Sequence, residues 1–316
     1  TIELFESLDN KISENMETVE NKISENMETT LELINDLNTN ITDQMKRIVL
    51  DVRNFGAKGD GVTDDTKAIQ ETFDYANSLG GATVLIPNGE YRIDGNLDLY
   101  SNLNIVGNGN AVFDFSKRTT TAKEDKKYLV SAFGDFENPV MITKTVPIDQ
   151  NIIEVPTDSF KEGDLIIIRS NKQWHNPNSF PANVGEYAVI DEILGYSKLR
   201  IKSSTHDEYR TDEGARIHKI NPLTNISIEG ITFKGRGRLG DGETPSGDLG
   251  VQFTYCKNVN VRKCNFINID ECQLEFRSCY KFHVDSCHFE HSKYYSPSGG
   301  VGESKPSQNV IRGTVQ

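Results

Sequence analysis

From Val251 onward the chain repeats its own apolar pattern at an interval of 23 residues, so that Val251 answers to Leu274, Phe253 to Phe276, Cys256 to Cys279, Val259 to Phe282, Val261 to Val284, Cys264 to Cys287 and Phe266 to Phe289. Within each copy the apolar residues alternate with polar ones, the two-residue period of a strand with one face buried. An ungapped interval this short fits a chain coiled on itself, each turn stacking on the last about 4.8 Å away. An earlier copy, Ile226 and Ile228 with Ile231 and Phe233, precedes the next by 33 residues, and the excess lies in GRGRLGDGETPSGD, Gly235 to Asp248. Polar and glycine-rich, that stretch reads as a loop thrown out of one turn. All five cysteines fall between Cys256 and Cys287, with no CxxC pair and no histidine at zinc-site spacing, so no metal is expected. Stacking predicts Cys256 over Cys279 and Cys264 over Cys287 as reduced core residues, with Cys272 near a turn.

The first fifty residues obey a different period. NKISENMET occurs at Asn10 to Thr18 and again at Asn21 to Thr29, eleven residues on. Extended, this period aligns Ile12, Ile23, Ile34 and Met45 in one column and Leu8, Val19, Thr30 and Ile41 in another. A third holds Phe5, Met16, Met27 and Asn38; the fourth holds Leu4, Asn15, Asn26, Leu37 and Ile48. Eleven residues in three helical turns keep such columns on one seam with little or right-handed supercoiling. A lone helix cannot cover that seam, so the columns predict partner chains. We expect a parallel homotrimeric coiled coil over residues 1–50, with Ile12, Met16, Val19, Ile23, Met27, Ile34, Leu37 and Ile41 at its interface and Asn15 and Asn26 setting register.

Where the coil ends, residues 52–107 change character. Gly56, Gly59 and Gly61 make a turn rich in positive-φ capacity. Thr63, Asp64 and Asp65 supply an N-cap and an acidic first turn. Ile69, Phe73, Ala76 and Leu79 follow at helical spacing, and Gly80-Gly81 stops the helix. A short strand, Ala82 to Ile86, then turns at Pro87-Asn88-Gly89. The strings FGAKGDGVTDDTKAIQ and IPNGEYRI closely resemble the N-terminal signature of the pectate-lyase-like superfamily, found in phage tail spikes, head appendages and polygalacturonase-type enzymes. The resemblance implies a mainly β fold, a right-handed parallel β-helix whose open end is capped by the helix from about Asp65 to Leu79. It assigns residues 51–140 to the cap and first rungs and 222–316 to further rungs that continue beyond the chain. On this reading Asp60, Asp64 and Asp65 are turn and cap residues, and the motif speaks to fold rather than chemistry.

Between them, residues 141–221 read as a β-rich insertion, with short strands at Asn151 to Val155, Leu165 to Arg169, Tyr187 to Ile193 and Lys198 to Lys202. It holds the single tryptophan, Trp174, near Tyr187; aromatic rings stack on sugar faces, which makes both candidate substrate contacts beside Arg277. Glycan-cleaving enzymes work with paired carboxylates. Ile269-Asp270-Glu271 resembles the aspartate-pair motif of polygalacturonase-type hydrolases, with Ile269 in place of a glycine, Glu271 in place of the second aspartate, and no downstream histidine-glycine element at His288 to Lys293. Asp270, Glu271 and Glu275 are the candidate catalytic acids. Outward positions also place Gln252 beside Glu275, Thr254 beside Arg277, and Glu229, Arg262 and Asp285 in a charge ladder.

Charge and composition restrict partners. The net charge is -13, and residues 1–50 hold 11 acidic against 4 basic side chains. That disfavours a nucleic-acid partner. No apolar run approaches a membrane span, no basic-then-apolar leader opens the chain, and no cofactor-binding motif is present. The expected protein is a virion tail spike or appendage assembled in the host cytoplasm. It would bind other phage tail or neck proteins and a host cell-surface polysaccharide (capsule, exopolysaccharide or a teichoic-acid-like polymer), and degrade it. A non-enzymatic structural or adhesive fibre shaft is the alternative. A free-standing secreted lyase has no use for the eleven-residue coil.

Overall fold

A computed structural model describes residues 2–45, 48–119, 128–173, 183–237, 248–269 and 272–290, with short strands at 294–295, 301–302 and 311–313. Residues 1–48 and 49–316 form two separate units.

The first unit is one continuous helix, Ile2–Met45. The period-eleven residues Ile12, Met16, Val19, Ile23, Met27, Ile34 and Leu37 are all exposed on it. The side chain of Ile41 lies outside the described residues. Among the described residues no helix is long and apolar enough to cross a membrane.

The second unit is mainly β, with parallel sheets wound one turn above another, as the 23-residue interval predicts. One parallel sheet runs Val49–Asp51, Ala82–Ile86, Leu103–Asp114, Leu223–Lys234, Cys256–Arg262, Tyr280–Asp285. A second runs Leu97–Asp98, Tyr128–Phe133, Leu249–Thr254, Leu274–Arg277, Ile311–Gly313. In the first, Ile105 pairs with Ile228, Ile228 with Val261 and Val261 with Val284. In the second, Val130 pairs with Val251 and Val251 with Leu274. Apolar alternation thus becomes vertical columns. Phe233, Phe266 and Phe289 stack with centroids 5.2 and 4.9 Å apart, Phe113 meets Phe233 edge-on at 5.8 Å, and Phe253 stacks 5.3 Å from Phe276. These rings belong to one continuous core.

The cysteines join that core. All five are free thiols; Cys256, Cys264, Cys272 and Cys279 are buried and Cys287 is half-buried. Cys256 and Cys279 have the carbonyls of Ala132 and Phe253 on the preceding rung 3.5 and 3.3 Å away, and Cys264 and Cys287 have those of Ile228 and Val261 at 3.7 and 3.5 Å. Each thiol also has the carbonyl two residues back within reach, at 3.2–3.6 Å, so its weak donor is satisfied within the stack and the four cysteines are explained without chemistry.

The corners between strands repeat as faithfully as the strands. Asn102, Asn225, Asn258 and Lys281 all adopt left-handed backbone, with φ between 58 and 60°. Asn225 donates from Nδ2 to Asn102 Oδ1 at 2.9 Å, and Asn258 to Asn225 Oδ1 at 3.1 Å. Asparagine tolerates this conformation and its amide bonds to the copy above and below. Tyr255 with Ser278, and Lys263 with Ser286, occupy further left-handed corners.

The short helix spans Thr66–Ser78 and turns Ile69, Phe73 and Ala76 into the core. The expected cap is divided between two aspartates. Asp64 Oδ1 accepts from the Thr66 amide at 3.1 Å, whereas buried Asp65 reaches back to the glycine turn and accepts from the Lys58 and Gly59 amides at 2.7 and 3.0 Å. Asp60 accepts from the amides of Thr63 and Val62, which hold its carboxyl down at about 2. At Gly81, with φ of 138°, an added Cβ would stand 2.5 Å from Asn102 Cβ. Only glycine fits there.

Between Phe133 and Leu223 the chain builds a seven-stranded sheet, antiparallel in every pairing, with an apolar core of its own that includes Ile166, Ile168, Ala188, Ile190 and Ile217. Its other face packs Leu165, Ile167 and Ile220 near Tyr187, Tyr255 and Tyr280.

Candidate functional site: a buried polar column on the second parallel sheet

Along the second parallel sheet Val130, Val251 and Leu274 point into the core, so the residues between them face away from it. Register aligns Asp98, Ser131, Gln252 and Glu275 in one outward column. Ser131 donates from Oγ to Asp98 Oδ1 at 2.8 Å, and Gln252 donates from Nε2 to Glu275 Oε2 at 2.9 Å. Arg277, in register with Thr254, brings Nη2 to 3.3 Å from Glu275 Oε1. Outward here does not mean solvent-exposed: Ser131 and Gln252 are 1% exposed, Glu275 4% and Thr254 9%. Sequence alternation aligns these residues correctly but carries no information on what lies over them. Gln252 Oε1 in the column and Thr254 Oγ1 two residues along the same strand are buried without a hydrogen-bond partner.

Glu275 accepts one hydrogen bond at each oxygen. It is therefore placed to take a proton or stabilise positive charge, and donating a proton to a leaving group would break one of those bonds. Three rungs at about 4.8 Å each put Asp98 about 14 Å from Glu275. That exceeds the roughly 5–10 Å separation of glycosidase carboxylate pairs. The other two candidate acids, Asp270 and Glu271, lie outside the described residues, as does Trp174. Tyr187 donates its hydroxyl to the Ser278 carbonyl at 2.6 Å, and its ring centroid is 6.4 Å from that of Tyr280. It ties the antiparallel sheet to a β-helix corner one residue from Arg277. Burial pushes its phenol up.

At the entry to the strand Leu249–Thr254 sits a charge cluster that the sequence reading missed. Buried Asp248 takes two bonds from Arg236, both 2.8 Å, and stands 3.4 Å from Arg118 Nη1; Arg236 also donates to the Arg118 carbonyl at 3.0 Å. Arg236 and Asp248 are the two ends of the predicted loop, so an ion pair closes its base. An arginine opening a polar loop and an aspartate closing it was the available signal. On the first parallel sheet Glu229 bonds both Arg262 and Lys263, which hold its carboxyl low, and Asp285 stands in register with Arg262. Among the described residues no cluster of three or more His, Cys, Asp or Glu could hold a metal ion.

Comparison with known proteins agrees with this architecture. Residues 49–150 match the family model described as Rhamnogalacturonase A/epimerase, pectate lyase-like. Alginate lyase 7 of Azotobacter vinelandii is 54% identical over 65 residues, 18% of this chain and 8% of that protein. The tailspike protein gp49 from Pseudomonas phage LKA1 aligns with a TM-score of 0.58 at 20% identity, over 75% of this chain and 46% of the tailspike. The Gp54 tailspike of Acinetobacter baumannii bacteriophage AP22, solved in complex with A. baumannii capsular saccharide, aligns with a TM-score of 0.57 at 14% identity, over 80% of this chain and 37% of that one. The chain thus spans under a tenth of that lyase and less than half of each tailspike. The chain shares the fold of those tailspikes, and residues 49–150 of it are similar to the pectate-lyase-like family.

Proposed function

We propose that this protein is a virion tailspike or appendage that binds a host cell-surface glycan and degrades it. One observation carries the reading: the chain joins a helix whose apolar columns are left exposed to a β-helix bearing a built polar column around Glu275. The first feature calls for partner helices and suits a rigid stalk. The second suits recognition of a polyhydroxylated ligand, and a tailspike of the same fold was solved with a capsular saccharide.

In this reading residues 1–50 are a homotrimeric coiled coil, 51–140 the cap and first rungs, 141–221 an insertion and 222–316 further rungs. Glu275 acts as base or charge stabiliser, held by Gln252 and Arg277. Asp270 or Glu271 supplies the proton, and Trp174, Tyr187 and Arg277 lie along the substrate path. Other phage tail or neck proteins bind the stalk, and assembly takes place in the host cytoplasm.

A non-enzymatic adhesive shaft is the second reading. It is favoured by the distance between Glu275 and Asp98. To separate them, the purified protein is incubated with host capsule and cell-wall fractions. New reducing ends or released phosphate support cleavage, and their loss in Asp270→Asn, Glu271→Gln or Glu275→Gln, with folding retained, assigns the acids. Binding without cleavage supports the shaft.

A further inference from the structure

We propose that the N-terminal helix meets copies of itself in parallel and without axial offset through two flanking columns, Glu20 against the partner's Lys22 and Leu31 against the partner's Leu33. The proposal rests on the coiled-coil reading and specifies the partner surface, its direction and its register.

On the exposed face of the helix Ile12, Asn15, Met16 and Val19 wall a shallow groove together with Glu20. Eleven residues on, Ile23, Asn26, Met27 and Thr30 wall a second one with Leu31. Their spacing, i, i+3, i+4 and i+7, is that of the hole that receives a side-chain knob from a neighbouring helix. Glu20 and Leu31 hold the same place beside the two holes.

Continuing the period of eleven, Asp9, Glu20, Leu31 and Thr42 form one flanking column, and Lys11, Lys22, Leu33 and Gln44 form the other. The first runs acid, acid, leucine, neutral polar; the second runs base, base, leucine, neutral polar. They change character in the same repeat. On one helix they cannot meet, because a step of two residues turns about 196° around the axis when eleven residues make three turns. Nor does Glu20 have a cation three or four residues away on its own helix, where Met16, Glu17, Ile23 and Ser24 stand. Leu31 and Leu33 are exposed, although neither belongs to the four apolar columns.

A second copy joins what one helix keeps apart. Between parallel helices each flank faces the opposite flank of the neighbour, which sets the acidic column against the basic one. At zero offset Glu20 and the partner's Lys22 differ in height by two residues, about 3 Å, as do Leu31 and the partner's Leu33. A slip of eleven residues would set Glu20 against the partner's Leu33 in one direction and Leu31 against the partner's Lys22 in the other. Antiparallel helices would set like flanks together, acid against acid. Charge and apolar surface therefore select one direction and one register.

The test uses the full chain, with association followed by sedimentation equilibrium over a concentration series at low and high salt. Glu20→Lys sets lysine against lysine in every interface and should weaken association roughly tenfold at low salt, and less at high salt. Adding Lys22→Glu should recover the wild-type value. Glu20→Lys with Lys11→Glu has the same net charge, but its compensating charge stands one repeat away and should not rescue. Leu31→Glu should also weaken association, and Leu31→Glu with Leu33→Lys, which extends the charged columns by one repeat, should regain part of it.

If Glu20→Lys leaves association unchanged or strengthens it, or if Lys11→Glu rescues as well as Lys22→Glu, the flank pairing is overturned while the coil stands. A wild type that remains a single chain at every concentration overturns the coil and the pairing together.

Discussion

The N-terminal helix and the β-helix use the same kinds of side chain in opposite ways. On the helix, Ile12, Ile23 and Ile34 are 48%, 53% and 49% exposed, although they line up every eleven residues. In the β-helix, Phe253 and Phe276, which recur at the 23-residue interval, are fully buried. A single helix cannot cover its own stripe, whereas a coiled chain covers each rung with the next. Periodicity marks a shared face in both regions; the second region covers its own, and for the first we propose that partner chains supply the cover. Stability of the first region should depend on protein concentration, and that of the second should not.

The largest expected effect falls on the helix. Replacing Ile23 and Ile34 together by aspartate puts two charges per chain into the seam, where they cannot be solvated. Light scattering should then report a single chain in place of three, with the β-sheet circular dichroism retained. A trimer that survived would mean that the β-helix also supplies an interface, and the contrast between the regions would fail.

The converse experiment is Phe266→Ala. This ring stacks between Phe233 and Phe289, and its loss should cost about 3–5 kcal/mol of unfolding free energy. The oligomeric mass should not change. Denaturant midpoints that moved with protein concentration would show that the second unit does not hold its core alone.

A smaller loss, about 1–2 kcal/mol, is expected for Asn225→Ala, which removes both bonds of the amide ladder and leaves alanine in a left-handed corner. Asn225→Gly should recover the conformational part and not the hydrogen bonds. Equal losses in the two variants would show that the ladder, not the backbone, carries the effect.

The smallest effect is at Asp60, whose carboxyl is held near 2 by the Thr63 and Val62 amides, against an ordinary 3.8. A depressed carboxyl adds stability above its unfolded value, which is lost as pH falls through its folded value. Melting temperatures of the wild type should decline between about pH 4 and pH 2 more steeply than those of Asp60→Asn. Parallel curves would remove Asp60 from the acid response.

Much of the β-helix was legible in the chain because strand stacking turns a spatial repeat into a numerical one. The 23-residue interval aligned Val251 with Leu274 and Gln252 with Glu275, and the structure pairs both. The asparagine ladder obeys the 33-residue interval between Asn225 and Asn258, a signal that matching of apolar residues alone passes over. Left-handed corners at Tyr255, Lys263 and Lys281 carried no residue-type signal, since their backbone is imposed by the rungs on either side.

What the sequence determined by itself is periodicity: which residues share a face, and how far the chain travels before it returns. These are local properties of strands and helices, set by two-residue and eleven-residue spacing. Only the tertiary structure decided what meets across long loops and what covers an outward face. Asn102 meets Asn225, and Arg118 meets Asp248, across more than a hundred residues, including the whole antiparallel sheet. Glu275 and Gln252, polar and outward by every local rule, are buried. Burial depends on neighbours that are distant in the chain, and no spacing within one rung encodes them.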